Sequence, residues 1–204
     1  PFQVGAEYFG KITKAIDIDL IKMCHEIICL SRANKIIIEL NDSFFINRYL
    51  DSIKLNIKDR AALVNMISLK SVSEINNFFS KKKVKKNKIQ ELFELMDFCG
   101  SITLLKKINS FSKRYNYKAA KNIKYFKDII DCISSLRNVE IIIDLTSFKS
   151  MDYEKGFSYT FYVDKLRKPI ALGGSYEAYT LNDDSIRHAT GFSIDLKDIV
   201  TIYE

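Results

Sequence analysis

Histidine is almost missing from these 204 residues: only His25 and His188 occur. Cysteine appears four times, at Cys24, Cys29, Cys99 and Cys132, and never as a C-x-x-C pair. Those counts exclude the ligand spacings of a structural zinc site. The adjacent Cys24 and His25 read as helix packing, with Cys24 buried and His25 exposed. Scattered cysteines without disulfide density match reduced thiols in a cytoplasm. No apolar run reaches the ~18 residues that a membrane helix needs. The opening PFQVGAEYFG has no basic segment followed by an apolar one, so this segment itself is not expected to be a signal peptide. It also lacks Met and starts as if within a strand, so a piece of a longer protein is expected. Disorder is excluded as well, because 47% of the residues are hydrophobic.

Glycine is scarce, with seven in the chain, yet Gly173, Gly174 and Gly191 fall in one stretch. Glycine belongs where the backbone takes φ > 0 or passes close to a ligand or another backbone. The clustering therefore points to a site. Net charge is +7, and much of it lies in KKKVKKNK, Lys81 to Lys88. Such a run can hold phosphates. It has no interleaved aromatics and lies between two helical patterns, so it is read as a solvated linker.

Three zones follow along the chain. In the first, Phe2, Val4, Ala6 and Tyr8 alternate with Gln3, Gly5 and Glu7, a strand with one polar face. From Asp17, placed to cap, the spacing of Ile18, Leu20, Ile21, Cys24, Ile27 and Ile28 predicts a helix. A β-branched strand, Lys35 to Leu40, precedes a helix opened by Asn41-Asp42-Ser43. The second zone, Asp51 to Asn138, has one glycine and no proline and reads as all helical. Ser71 and Glu74 in it form a capping box. The third zone returns to strands at Val139–Leu145, Phe157–Val163, Pro169–Leu172 and Thr190–Ile194, then a helix, Asp195–Tyr203. Strands at both ends predict an α+β fold: a sheet core from 1–50 and 139–204, with 51–138 as a helical insertion.

The residues Phe2-Gln3-Val4-Gly5-Ala6-Glu7-Tyr8-Phe9-Gly10 resemble the F-x-Q-x-G-x-E-x-x-G strand after motif 2 of histidyl-tRNA synthetases. Met151-Asp152-Tyr153-Glu154-Lys155-Gly156 resembles that family's L-D-Y-Y-x-G. Gly173-Gly174-Ser175-Tyr176-Glu177 resembles G-G-R-Y-D, and Ala189 to Leu196 resembles motif 3. The resemblance implies a class II aminoacyl-tRNA synthetase-like core, mostly antiparallel and flanked by helices, with its N-terminal part upstream of Pro1.

Departures from the family pattern bear on function. Asp198 stands where motif 3 has an ATP-holding Arg, and an anion there repels a triphosphate. Ser175 replaces the Arg of G-G-R-Y-D. Glu154 replaces the second Tyr of the histidine segment, and Lys149 replaces an Arg without its bidentate fork. This combination is similar to the regulatory subunit of ATP phosphoribosyltransferase, a synthetase paralogue of histidine biosynthesis. That likeness implies no catalysis and no cofactor. It implies binding and activation of the phosphoribosyltransferase catalytic subunit, and feedback by L-histidine.

The implied histidine site comprises Gln3, Glu7, Lys149, Tyr153, Glu154 and Tyr176. Gln3 and Glu7, four residues apart on the polar face of one strand, suit an α-ammonium. Lys149 suits the α-carboxylate, and Glu154 or Tyr153 the imidazole N–H. Two alternatives stand beside this reading. One is a cropped or divergent histidyl-tRNA synthetase. The other is a nucleic-acid module built on Lys81 to Lys88, which the absence of aromatics disfavours.

Overall fold

The computed structural model describes residues 2–147, 154–179 and 186–203, and for 154, 155 and 179 the backbone alone. Its strands are β1 (Gln3–Phe9), β2 (Ile36–Asp42), β3 (Cys99–Ser101), β4 (Val139–Asp144), β5 (Glu154–Val163), β6 (Ala171–Tyr179) and β7 (Ile186–Asp195). Its helices are α1 (Lys14–Cys29), α2 (Ser43–Ser52), α3 (Ile57–Ser68), α4 (Val72–Lys82), α5 (Lys86–Met96), α6 (Leu105–Arg114), α7 (Ala120–Ile133) and α8 (Leu196–Tyr203).

The seven strands form one sheet in the order β1-β7-β6-β5-β2-β4-β3. Only β2 and β4 run parallel; the other neighbours are antiparallel. Strand alternation divides the sheet into two faces. Ile36, Ile38 and Leu40 of β2 pair with Val163, Phe161 and Tyr159 of β5, and all six are buried. This back face continues through Phe192 and Ile194 of β7, which lie beside Ala6 and Val4 of β1. Helices α1 and α7 cover it with the apolar stripes Ile18, Ile21, Cys24, Ile28 and Phe126, Ile129, Ile130, Ile133.

Buried polar groups on the back face are paired. Asp17 of α1 accepts from Thr190 Oγ1 of β7 at 2.6 Å and from the Tyr125 hydroxyl of α7. Burial pushes the Asp17 carboxyl above its ordinary range, although both bonds pull it down. Asp42 accepts from Phe44 N at 2.9 Å, capping α2, and from Asn122 Nδ2 of α7 at 2.7 Å. Burial raises its pKa in the same way.

Several expectations are corrected. Asp17 does not cap α1, which starts at Lys14; it lies one turn inside and is fully buried. His25 is buried, not exposed, because its Nε2 meets the Arg137 carbonyl at 2.9 Å and so has a polar partner inside. Ser71 precedes α4 without a side-chain capping bond. The zone 51–138 is not all helical: it also supplies β3, whose Cys99 and Ser101 pair with Asp144 and Ile142. The lysine run ends α4 at Lys83, with φ 51°, and starts α5 at Lys86. Lys82 pairs with Asp59 at 2.5 Å and Lys88 with Glu91 at 2.7 Å, which withdraws two of its cations from solution.

Candidate functional site

On the front face, one row of paired residues crosses five strands: Asn41, Ser158, Gly174, Gly191 and Glu7. Small residues in the middle of this row leave a hollow above the sheet. A cleft of about 450 Å³ forms there, lined by Gln3 and Glu7 of β1, Gly174 and Tyr176 of β6, and Gly191 and Asp195 of β7. Lys168, from the β5–β6 connection, and Asp198 of α8 close one end.

The glycines answer to close packing within the protein as much as to the hollow. A Cβ on Gly173 would lie 2.4 Å from the Tyr159 ring on the back face. The Tyr159 hydroxyl donates to the Gly191 carbonyl at 3.4 Å, directly beneath the cleft. A Cβ on Gly191 would meet the Ala6 carbonyl at 2.5 Å and Glu7 Cγ at 2.9 Å. Glycine at 191 thus lets β1 approach β7 and keeps Glu7 in place.

Of the six residues expected to hold histidine, Gln3, Glu7 and Tyr176 share this cleft. Lys149 and Tyr153 lie outside the described residues. Glu154 is described by its backbone, which pairs with Tyr176. Gln3 and Glu7 sit on the same face, but four residues of strand separate them by about 13 Å. They therefore flank the cleft rather than converge on one ammonium. Their side chains are solvent-facing and have no partner among the described residues.

Ser175 does not line the cleft. It pairs with Thr190, whose hydroxyl points to Asp17 on the back face, so the pleat turns Ser175 the same way. Asp198 does line it, but not as a free anion: Lys168 Nζ lies 2.9 Å from its Oδ2. The carboxylate raises the Lys168 pKa through that contact. The pair is close to neutral, so repulsion by Asp198 does not by itself explain a lost nucleotide. The Arg is absent, and the cation that remains is occupied.

Sequence reasoning missed Lys168 and Asp195. Asp195 carried a signal, a carboxylate directly before a helix, and its Oδ1 accepts from Lys197 N at 2.9 Å. Lys168 carried none. Three carboxylates and one ammonium thus border the cleft, an environment for a cationic ligand. A larger open groove of about 640 Å³ runs between α5 and α6, but it holds none of the expected residues. Its Arg114 is paired with Glu94 at 2.8 Å. Among the described residues no group of His, Cys, Asp and Glu can hold a metal ion. No described helix is long and apolar enough to cross a membrane.

Known proteins match both the sequence and the fold. A regulatory subunit of ATP phosphoribosyltransferase from Polynucleobacter necessarius is 26% identical over 98% of the chain and 51% of its own length. One from Hydrogenovibrio crunogenus is 21% identical over 97% and 51%. The chain spans about half the length of these curated relatives. Among solved structures, an ATP phosphoribosyltransferase regulatory subunit/histidyl-tRNA synthetase from Bacillus halodurans superposes with a TM-score of 0.81. It is 17% identical, with 99% of this chain and 53% of that one covered. Histidyl-tRNA synthetase from Nostoc gives 0.78 at 15% identity, over 98% and 49%. The ATP phosphoribosyl transferase complex from Thermotoga maritima gives 0.71 at 18% identity, over 94% and 65%. These likenesses establish the class II synthetase-type fold. The histidyl-tRNA synthetase family model matches residues 1–199, and the chain belongs to that family.

Proposed function

We propose that this chain is part of a regulatory subunit of ATP phosphoribosyltransferase. In this reading it performs no chemistry, binds and activates the catalytic subunit, and senses L-histidine in feedback on histidine biosynthesis. One observation carries the reading. The cleft keeps a carboxylate and an amide, unpaired among the described residues, for a cationic amino acid, while the motif 3 Arg position holds Asp198, already tied to Lys168. The names of the relatives point the same way. The thiols, all four free, agree with a cytoplasmic setting.

The separation of Gln3 and Glu7 suggests how the amino acid lies. It runs along β1, with one nitrogen-bearing end at Glu7 beside Tyr176 and the other at Gln3 beside Asp195. A carboxylate accepts from either an ammonium or an imidazole N–H. Feedback then requires that histidine bind one arrangement of the complex more tightly than another.

Calorimetry with histidine and with ATP, on the wild type and on Glu7→Gln, tests the reading. Histidine should bind the wild type and lose about tenfold or more in the variant, the loss of one charge-assisted hydrogen bond. Undiminished binding in Glu7→Gln removes the pocket assignment. Tight ATP binding to the wild type favours the ligase alternative.

A further inference from the structure

Charge is divided unevenly along the chain. Residues 51–138 carry 19 Lys and Arg against 8 Asp and Glu, a net +11, while the remainder carries 13 against 17, a net −4. A lysine bias spread over the whole chain would not charge one part and leave the other acidic. Within 51–138 much of the excess gathers at one end. Lys82 of α4 reaches Asp59 of α3, and the Tyr49 hydroxyl of α2 donates to the Lys88 carbonyl of α5 at 3.0 Å. These contacts bring the α2–α3 turn beside the α4–α5 turn. Six lysines there, Lys54, Lys58, Lys81, Lys83, Lys85 and Lys86, are exposed and have no acidic partner among the described residues.

Two further observations set this end apart from an ordinary solvated face. Ile57, the first residue of α3, falls between Lys54 and Lys58 and is 89% exposed, more than any other large apolar side chain described. Lys54 and Lys83 hold left-handed backbone, at φ 48° and 51°, where a helix end ordinarily takes glycine or asparagine. Both turns thus keep a cation at a conformational cost.

We propose that this end of the insertion is a docking surface for an acidic protein, with Ile57 as the apolar anchor and the six lysines as its charged rim. An apolar centre inside a polar rim is the usual build of a protein interface, and a rim of one sign speeds encounter with an oppositely charged face. Nucleic acid fits less well. The one arginine here, Arg60, is held by Asp51 and Asn47, so no free fork for phosphate remains. Neither 51–60 nor 81–88 contains an aromatic residue to stack on a base. A phosphate backbone would also leave Ile57 without a partner. The inference stands apart from the reading of the cleft and does not need histidine to bind there.

The test is fluorescence anisotropy with three labelled probes of equal charge: a peptide of repeated Glu-Glu-Leu-Leu, polyglutamate, and duplex DNA. The proteins are the wild type, Ile57→Ser, the tip variant K81Q/K83Q/K85Q/K86Q, and a charge-matched variant on α6 and α7, K106Q/K107Q/K113Q/K127Q, with a thermal melt of each. The Glu-Leu peptide should bind the wild type about tenfold tighter than polyglutamate, and Ile57→Ser should abolish that preference. The tip variant should lose about tenfold for the peptide, and the matched variant little. The proposal is overturned if the wild type does not bind the Glu-Leu peptide or binds DNA more tightly. It is equally overturned if Ile57→Ser keeps the preference, or if the two lysine variants lose affinity alike. If the tip variant melts early, K81Q/K86Q carries the test with a smaller loss, and wild-type affinity there overturns the proposal.

Discussion

The two faces of the sheet are made from the same strands and differ in what they leave unsatisfied. On the back, Asp17 and Asp42 are buried and each accepts two hydrogen bonds, linking α1, α2, α7 and β7. On the front, Glu7 and Gln3 face solvent without partners among the described residues. A buried polar group must be paired or it costs stability, while a solvated one is held ready at little cost. The contrast separates residues that hold the fold from residues available to a ligand, even within β1, where Val4 and Ala6 of the back alternate with Gln3 and Glu7 of the front.

The comparison can be broken most forcefully from behind. Phe161 is fully buried among the helices, so Phe161→Ala should cost about 3–5 kcal/mol in urea denaturation. A smaller loss would mean that the back face is loosely packed. Next comes Gly191, where the faces meet. Gly191→Ala must push β1 from β7, costing about 1–3 kcal/mol and also weakening histidine binding through Glu7. A stable variant with unchanged binding would show that the cleft floor tolerates a methyl group.

The smallest expected effect is a pH slope. Burial raises the folded-state pKa of Asp17 above the ordinary 3.8, so the folded state holds its proton more tightly than the unfolded chain. That contribution to stability is fully present below about pH 4 and fades as pH rises through the folded value. Asp17→Asn, which mimics the protonated form, should flatten this part of the melting-temperature profile. A profile parallel to that of the wild type would show that Asp17 does not titrate in this window. Asp42 is shifted in the same direction and should supply the slope that persists.

Much of this arrangement was legible in the residues. The alternation in β1, the β-branched run of β2 and the helical spacing of α1 each reflect one local periodicity. So did the polar face carrying Gln3 and Glu7. Asp17, in the first turn of α1, and His25, near its end, were misread because a charged or titratable side chain on a helix looks solvent-facing when its partner is not local. Their partners, Thr190, Tyr125 and the Arg137 carbonyl, lie more than a hundred positions away. Cys99 to Ser101 was missed as a strand because three residues with a glycine show no period.

By itself, then, the order of residues settled the longer periodic strands and helices, and which of their faces are polar. These follow from period and side-chain chemistry within a few neighbouring positions. Only the tertiary structure decided what each polar group meets. It placed Lys168 on Asp198, turned Ser175 away from the cleft, and set Gln3 and Glu7 at opposite ends of it. The physical reason is that pairing and burial arise from strand register and helix docking across the chain, and no local pattern encodes those distances.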